Sequence, residues 1–174
     1  MSAPVRLGWG STDIRYAKQD LPTVEKIGRL RLKAWKGERI HAQAVLWTRE
    51  ALKEVKVTVS ELRNGSSVIP SEDVTTHFVR YVMTDELNKD GKGGCGHRPN
   101  KTDWDSSLVA DVLDINKVLD IEACTTRPIW LSLRVPTDVR AGRYRGTLTV
   151  SGANFKPLSL PFEVEVLART LPEP

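Results

Sequence analysis

Apolar and polar residues alternate with a period of two through most of this chain of 174 residues. That spacing puts every second side chain on one face, as in a β-strand with one side buried. Leu30, Leu32 and Ala34 alternate with Arg29, Arg31 and Lys33; Ile40, Ala42, Ala44 and Leu46 with His41, Gln43, Val45 and Trp47; and Val55, Val57 and Val59 with Lys56, Thr58 and Ser60. In the second half, Ile129, Leu131, Leu133 and Val135 alternate with Trp130, Ser132 and Arg134. Tyr144, Gly146, Leu148 and Val150 then alternate with Arg145, Thr147 and Thr149, and Leu158 to Val166 closes the series against Ser159, Glu163 and Glu165. Between them, His77 to Met83 carries apolar residues on both parities, which reads as a strand buried on both faces. Gly37-Glu38, Pro136, Ala141-Gly142 and Gly152 to Asn154 supply the joints, since proline cannot donate to a ladder and glycine tolerates tight turns.

At least seven strands follow, with no long stretch of helical spacing. Val109 to Leu119 is the one segment open to a short helix or turn, and Asp111 and Asp114 weigh against it. The expected fold is an all-β, antiparallel, immunoglobulin-like β-sandwich with one long loop insertion. A sandwich is preferred to a barrel because the strands vary in length and one connection, Thr84 to about Leu108, is very long. Residues 1–24 alternate poorly and are read as an extended segment packing on the sandwich, running across the surface. Residues 25–168 form the sandwich, and 169–174, punctuated by Pro172 and Pro174, read as a linker toward a further domain.

Composition narrows the function classes. At 40% hydrophobic and 28% charged residues the chain has ordinary globular values. No apolar run approaches the roughly 20 residues that cross a bilayer, so no membrane span is expected. The start, Met1-Ser2-Ala3-Pro4, lacks a signal-peptide pattern; the linker-like end favours a piece of a secreted protein over a cytosolic one. The formal charge of +4 is spread along strands, not gathered in a block, and reads as solvated faces with no nucleic-acid partner.

The long connection is the first place to look for a binding role. Its Gly91 to Gly96 stretch lacks the pattern of a phosphate-binding loop. Cys95 and His97 have no second closely spaced pair to complete a zinc site, and Asp103 and Asp105 lack the calcium-loop pattern, so no metal or cofactor is expected. Asp103, Asp105, Asp111 and Asp114 could form a hydrolytic carboxylate pair by residue type only. The three histidines accompany no nucleophile elbow. No catalytic residue is assigned. Trp104, set between two acids, is the best candidate for stacking on a sugar ring; with His97, Arg98, Asp103 and Asp105 it makes a candidate carbohydrate-binding set. The competing reading is that these are ordinary loop residues. Trp47 and Trp130, opposite the apolar faces of their strands, cover a second core layer or an interdomain surface. Cys95 and Cys124 permit one disulfide or two free thiols.

Several segments taken in order carry a resemblance: Trp35 to Arg39 followed by Ala42 to Trp47; Ser60-Glu61-Leu62; Asp111 to Asp114; Thr126-Arg127-Pro128-Ile129-Trp130; and Val135 to Gly146, which contains Pro136-x-Asp138-x-x-x-Gly142-x-Tyr144-x-Gly146. This order resembles the N-terminal β-sandwich domain of glycoside hydrolase family 123 and related uncharacterised bacterial proteins, over nearly the whole chain. The motifs suit scaffold roles: a tight positive-φ turn at Gly142, a corner in which Tyr144 sends its hydroxyl back to a turn, and a hairpin turn at Gly37.

The resemblance implies a non-catalytic accessory domain of a secreted glycoside hydrolase of the β-N-acetylgalactosaminidase type. Its partner would be a downstream catalytic barrel of the same polypeptide, whose substrate-assisted mechanism uses an Asp-Glu pair that lies outside this sequence. It also implies a periplasmic or extracellular location, which favours a Cys95–Cys124 bridge. The alternatives are a carbohydrate-binding module, with a glycan as partner, and a stand-alone protein-interaction or adhesion sandwich.

Overall fold

The computed structural model describes residues 4–24, 29–84 and 107–172. Twelve strands lie within them: β1 Val5–Gly10, β2 Leu30–Lys36, β3 Arg39–Thr48, β4 Leu52–Val59, β5 Leu62–Asn64, β6 Ser67–Ile69, β7 Val74–Thr84, β8 Ser107–Leu113, β9 Val118–Ile121, β10 Thr125–Arg134, β11 Gly142–Ser151 and β12 Leu158–Thr170. They form two sheets, one ordered β1-β3-β10-β7-β8 and the other β2-β12-β11-β4-β9, with β5 also pairing β11 and β6 pairing β5. The segment Val109 to Leu119, open to a short helix in the sequence, is instead extended in β8 and β9; Asp114 ends β8 by accepting the Asn116 N–H at 2.9 Å.

The two sheets face each other across one core. Ala42, Ala44 and Leu46 of β3 and Ile129, Leu131 and Leu133 of β10 point inward from the first sheet, while Leu148 and Val150 of β11 and Phe162, Val164 and Val166 of β12 meet them from the second. The alternation read in the sequence is therefore the real inside–outside pattern of these strands. In β7 the burial on both faces extends to Phe78 and Val79, while Met83 is 67% exposed.

Two details depart from the antiparallel expectation. β12 pairs β2 in parallel, Phe162 to Val166 beside Leu30 to Ala34. The turn at Gly37 is not a hairpin turn either, because β2 and β3 belong to different sheets. It is a corner crossing between the layers, held by Gly37 N–H to Val135 O (2.8 Å) and Val135 N–H to Glu38 O (2.9 Å).

The N-terminal reading is corrected in part. Val5–Gly10 is a strand, paired with β3 from Val5↔Thr48 to Gly10↔Gln43, and Trp9 is buried in the core. Its alternation was hidden because glycine stands where a polar residue would mark the outer face. A Cβ on Gly10 would run into Tyr16 and Val45, so only glycine lets the next segment lie against the strand. Ser11 to Val24 then follows the outside of the first sheet as a strap. Thr126 fixes it from β10, its N–H donating to Lys18 O (2.7 Å) and its Oγ1 to Asp20 O (2.8 Å).

Candidate functional site

The strap makes the outer face of the five-stranded sheet the most featured surface among the described residues. Tyr16 is buried beneath it, its hydroxyl accepting the Ser11 N–H at 3.0 Å. Gln43 is the buried amide that the alternation did not explain. Its Nε2 donates to Ser11 O (2.6 Å) and Ile14 O (3.1 Å), tying β3 to the strap and satisfying a polar group that burial would otherwise penalise. Beside it lies a cleft of about 310 Å³ bordered by Ile14, Arg15, Gln43, Asp111, Leu113 and Trp130. Arg15 and Asp111 meet across it at 3.4 Å.

Trp130, read from sequence as a second-layer or interface residue, stands half-buried on this face. Its indole N–H donates to His41 Nδ1 at 3.2 Å, and the two rings lie 5.6 Å apart. Ser132 Oγ is 2.9 Å from the same Nδ1. A nitrogen that accepts from an indole carries no proton, so His41 keeps its proton on Nε2. This serine–histidine contact is not a nucleophile and its base: the indole occupies the lone pair that would take the serine proton, and no carboxylate among the described residues orients the ring. Trp47 packs on the same face with the Arg6 guanidinium 5.6 Å from its ring.

Of the carboxylates considered from sequence, Asp114 is buried and Asp111 exposed. Asp114 accepts from Asn116 N–H and from Arg80, at 3.1 and 3.3 Å, and these donors hold its carboxyl below the ordinary carboxylate range. A carboxylate so fixed in its ionised form ends a strand and is unsuited to give up a proton. Asp103 and Asp105 lie outside the described residues, as do His97, Arg98, Trp104 and Cys95. Cys124 is exposed, its Sγ 3.5 Å from Arg49 O; the other end of the pairing considered for it falls outside the described residues. No grouping of three His, Cys, Asp or Glu side chains suited to a metal ion occurs among the described residues.

The two motifs that carry the family resemblance prove to be structural. Pro128 sits in the middle of β10, between β3 and β7, where it has no N–H to give. The β10–β7 ladder stops at Ile129↔Phe78, and continuing that register places Val79 opposite Pro128. Arg127 Nη1 donates to Val79 O at 3.1 Å, supplying a donor beside the proline. Arg127 also lies 5.2 Å from the Tyr81 ring, and Tyr81 Oη is 3.0 and 2.9 Å from the carbonyls of Tyr16 and Thr126. Thr126, Arg127 and Trp130 thus bind the strap, mend the ladder and line the cleft.

In the second motif Gly142 has φ +143°, and a Cβ there would strike Asn64. Tyr144, wholly buried, donates its hydroxyl to Arg140 O at 2.8 Å and lies 2.6 Å from Ser67 Oγ, as the sequence motif predicts for a corner.

Comparison with known proteins agrees with this architecture. Residues 9–152 match the glycoside hydrolase 123 N-terminal domain family. Among solved structures, a family 123 glycoside hydrolase from Clostridium perfringens, studied for glycolipid glycan hydrolysis, superposes with a TM-score of 0.82 at 19% identity, covering 98% of this chain and 28% of that one. The sporulation control protein Spo0M from Bacillus subtilis reaches a TM-score of 0.44 at 7% identity, over 97% of this chain and 51% of its own. No curated protein matches the sequence.

Proposed function

This chain belongs to the glycoside hydrolase 123 N-terminal domain family, and from that premise we propose that it serves as the non-catalytic accessory domain of a glycoside hydrolase, seated against a catalytic barrel of the same polypeptide. The chain spans 28% of the length of the family 123 enzyme it matches. The observation that carries the reading is the edge formed by β8 and the turn after it. There Leu108, Val112 and Leu113 of β8 and Ile115 of the turn are 40–83% exposed, with the exposed Met83 of β7 beside Leu108. Among the described residues no strand pairs with the outer side of β8, and an edge strand with large apolar side chains is normally covered or charged in a self-sufficient domain. In this reading the catalytic domain covers it. The parent activity is of the β-N-acetylgalactosaminidase type, and the protein works in the periplasm or outside the cell.

The test is a hydrolase assay on aryl N-acetylgalactosaminides and a wider aryl-glycoside panel, comparing this chain with its full-length parent. The expected result is turnover by the parent alone. Turnover by this chain would overturn the reading. A parent whose stability and activity are unchanged by Val112→Glu together with Ile115→Glu would remove the β8 edge from the interface.

A further inference from the structure

Gln43 of β3 and Trp130 of β10 stand directly opposite each other on the outer face of the first sheet, and both border the cleft beside the strap. Each spends one part of its chemistry within the protein. Gln43 Nε2 lies 2.6 and 3.1 Å from the carbonyls of Ser11 and Ile14. Those two acceptors fix which end of the amide is nitrogen and turn Oε1 away from them. That oxygen accepts no hydrogen bond among the described residues, although Gln43 is only 4% exposed. It is not sealed in either, because Arg127 Nε is the one side-chain atom among the described residues that is both buried and unpartnered. Gln43 borders the cleft, so Oε1 is an unused acceptor open to it. Trp130 gives its indole N–H to His41, so what it brings to the cleft is apolar ring.

Charge and shape narrow what fits. The charged residues lining the cleft are Arg15 and Asp111, which pair across it at 3.4 Å and leave it without net charge. Ile14, Val79, Ala110 and Leu113 supply apolar walls. The volume of about 310 Å³ lies at the small end of the range that holds a small ligand, about 300–1,000 Å³, and apolar walls with a few placed polar groups are the usual form of such a site. The complement is an uncharged molecule with an apolar face and a hydroxyl donor at its rim. A pyranose has that form, with C–H groups on one face and hydroxyls around its edge.

We propose that this cleft binds one neutral sugar residue, its C–H face on the Trp130 indole and one hydroxyl donating to Gln43 Oε1. Asp111 and Leu113 belong to β8, so the cleft adjoins the edge assigned above to the catalytic domain. The sugar site does not rest on that assignment, and the experiment separates the two.

The test is an NMR titration of the ¹⁵N-labelled chain with methyl β-galactoside and methyl β-glucoside, with glycerol as the control. The expected result is saturable, millimolar binding of at least one glycoside, with the largest shifts at the Trp130 indole N–H and the Gln43 side-chain amide, and none with glycerol. Trp130→Ala should weaken binding at least tenfold. Trp130→Phe keeps a ring while losing the bond to His41, and should weaken it less. Circular dichroism and the melting temperature check that both variants fold; if Trp130→Ala does not, the shift map of the unaltered chain still decides.

The absence of a saturable shift with either glycoside, shifts centred away from Gln43 and Trp130, glycerol binding as tightly, or an unaltered Trp130→Ala overturns the proposal. So does binding that is present in this chain and lost in the full-length parent, which would mean that the neighbouring domain fills the cleft. A parent that hydrolyses aryl glycosides while this chain binds neither sugar removes the sugar site alone and leaves the accessory-domain reading standing.

Discussion

The Trp9 indole and the Phe162 ring meet edge to face across the two sheets, with ring centroids 5.9 Å apart and planes at 73°. Trp9 belongs to β1 and Phe162 to β12, so the contact joins an edge strand of one sheet to an inner strand of the other. The indole N–H donates to Pro161 O at 3.1 Å, so the same side chain is both packed and hydrogen-bonded. Trp9→Ala removes both and leaves a cavity; urea unfolding should show a loss of about 3–5 kcal/mol. Trp9→Phe keeps most of the packing and leaves the Pro161 carbonyl without its donor, for a smaller loss of about 1–3 kcal/mol. An equal loss in the two variants would show that the hydrogen bond contributes nothing beyond the ring.

Tyr144 closes the corner at the start of β11. Tyr144→Phe deletes only the hydroxyl, leaving Arg140 O and Ser67 Oγ without that partner, and should cost about 1–3 kcal/mol. Gly142→Ala acts on the same corner by another route, through the positive φ and the collision with Asn64, and should cost about 1 kcal/mol or more. Both should lower the urea midpoint without changing the slope, since neither alters the surface exposed on unfolding.

Stability should fall at both ends of the pH range, for separable reasons. Burial pushes the Tyr81 hydroxyl up to about 12 from an ordinary 10.0, against the opposing pull of the Arg127 charge. The folded protein therefore holds that proton more tightly than the unfolded chain does. The resulting stability is whole below pH 10 and is lost as pH rises through 12. Asp114 is shifted the other way by Asn116 and Arg80, and Glu163 likewise by Arg145 first and then by Arg143 and Arg29. Their contribution is present above the ordinary carboxylate range and disappears as pH falls through their lowered values. Melting temperatures across pH should show both slopes. Tyr81→Phe should flatten the alkaline slope alone, and Asp114→Asn should reduce the acid one alone.

Where a strand has one face in the core and the other in water, its residues announce it, and β2, β3, β10, β11 and β12 were legible for that reason. The same rule hid β1: Gly8 and Gly10 occupy outer positions because the strap lies on them, so Arg6 is the only polar residue that marks its alternation. It also obscured β8 and β9, whose Asp111 and Asp114 break an apolar pattern while serving an ion pair and a strand end. Sheet membership was less legible than strand identity. Nothing in Trp35 to Arg39 distinguishes a hairpin from a corner, because that choice is made by β12 and β10, which pair with the two arms from far along the chain. For the site, the buried amide of Gln43 was the available signal: a polar residue on a strand face shared with Val45 and Trp47. Its partners, the backbone carbonyls of Ser11 and Ile14, leave no mark in the sequence.

The adjacency of Arg127 and Pro128 allows a direct measurement of how a sheet tolerates proline at its centre. Arg127→Met removes the donor to Val79 O and the ring contact with Tyr81, and also removes a buried Nε that has no partner among the described residues. The gain from the last offsets part of the loss, so a net destabilisation of about 1–2 kcal/mol is expected. Pro128→Ala restores a backbone N–H opposite Val79. If Arg127 stands in for that missing donor, the two changes cannot be additive. Arg127→Met should cost less in the Pro128→Ala background, with a coupling of about 0.5–3 kcal/mol, the size seen for residues sharing one hydrogen-bond network. Additive losses in a double-mutant cycle would mean that the arginine acts through Tyr81 and the strap instead, and Tyr81→Phe would then be the variant that couples to it.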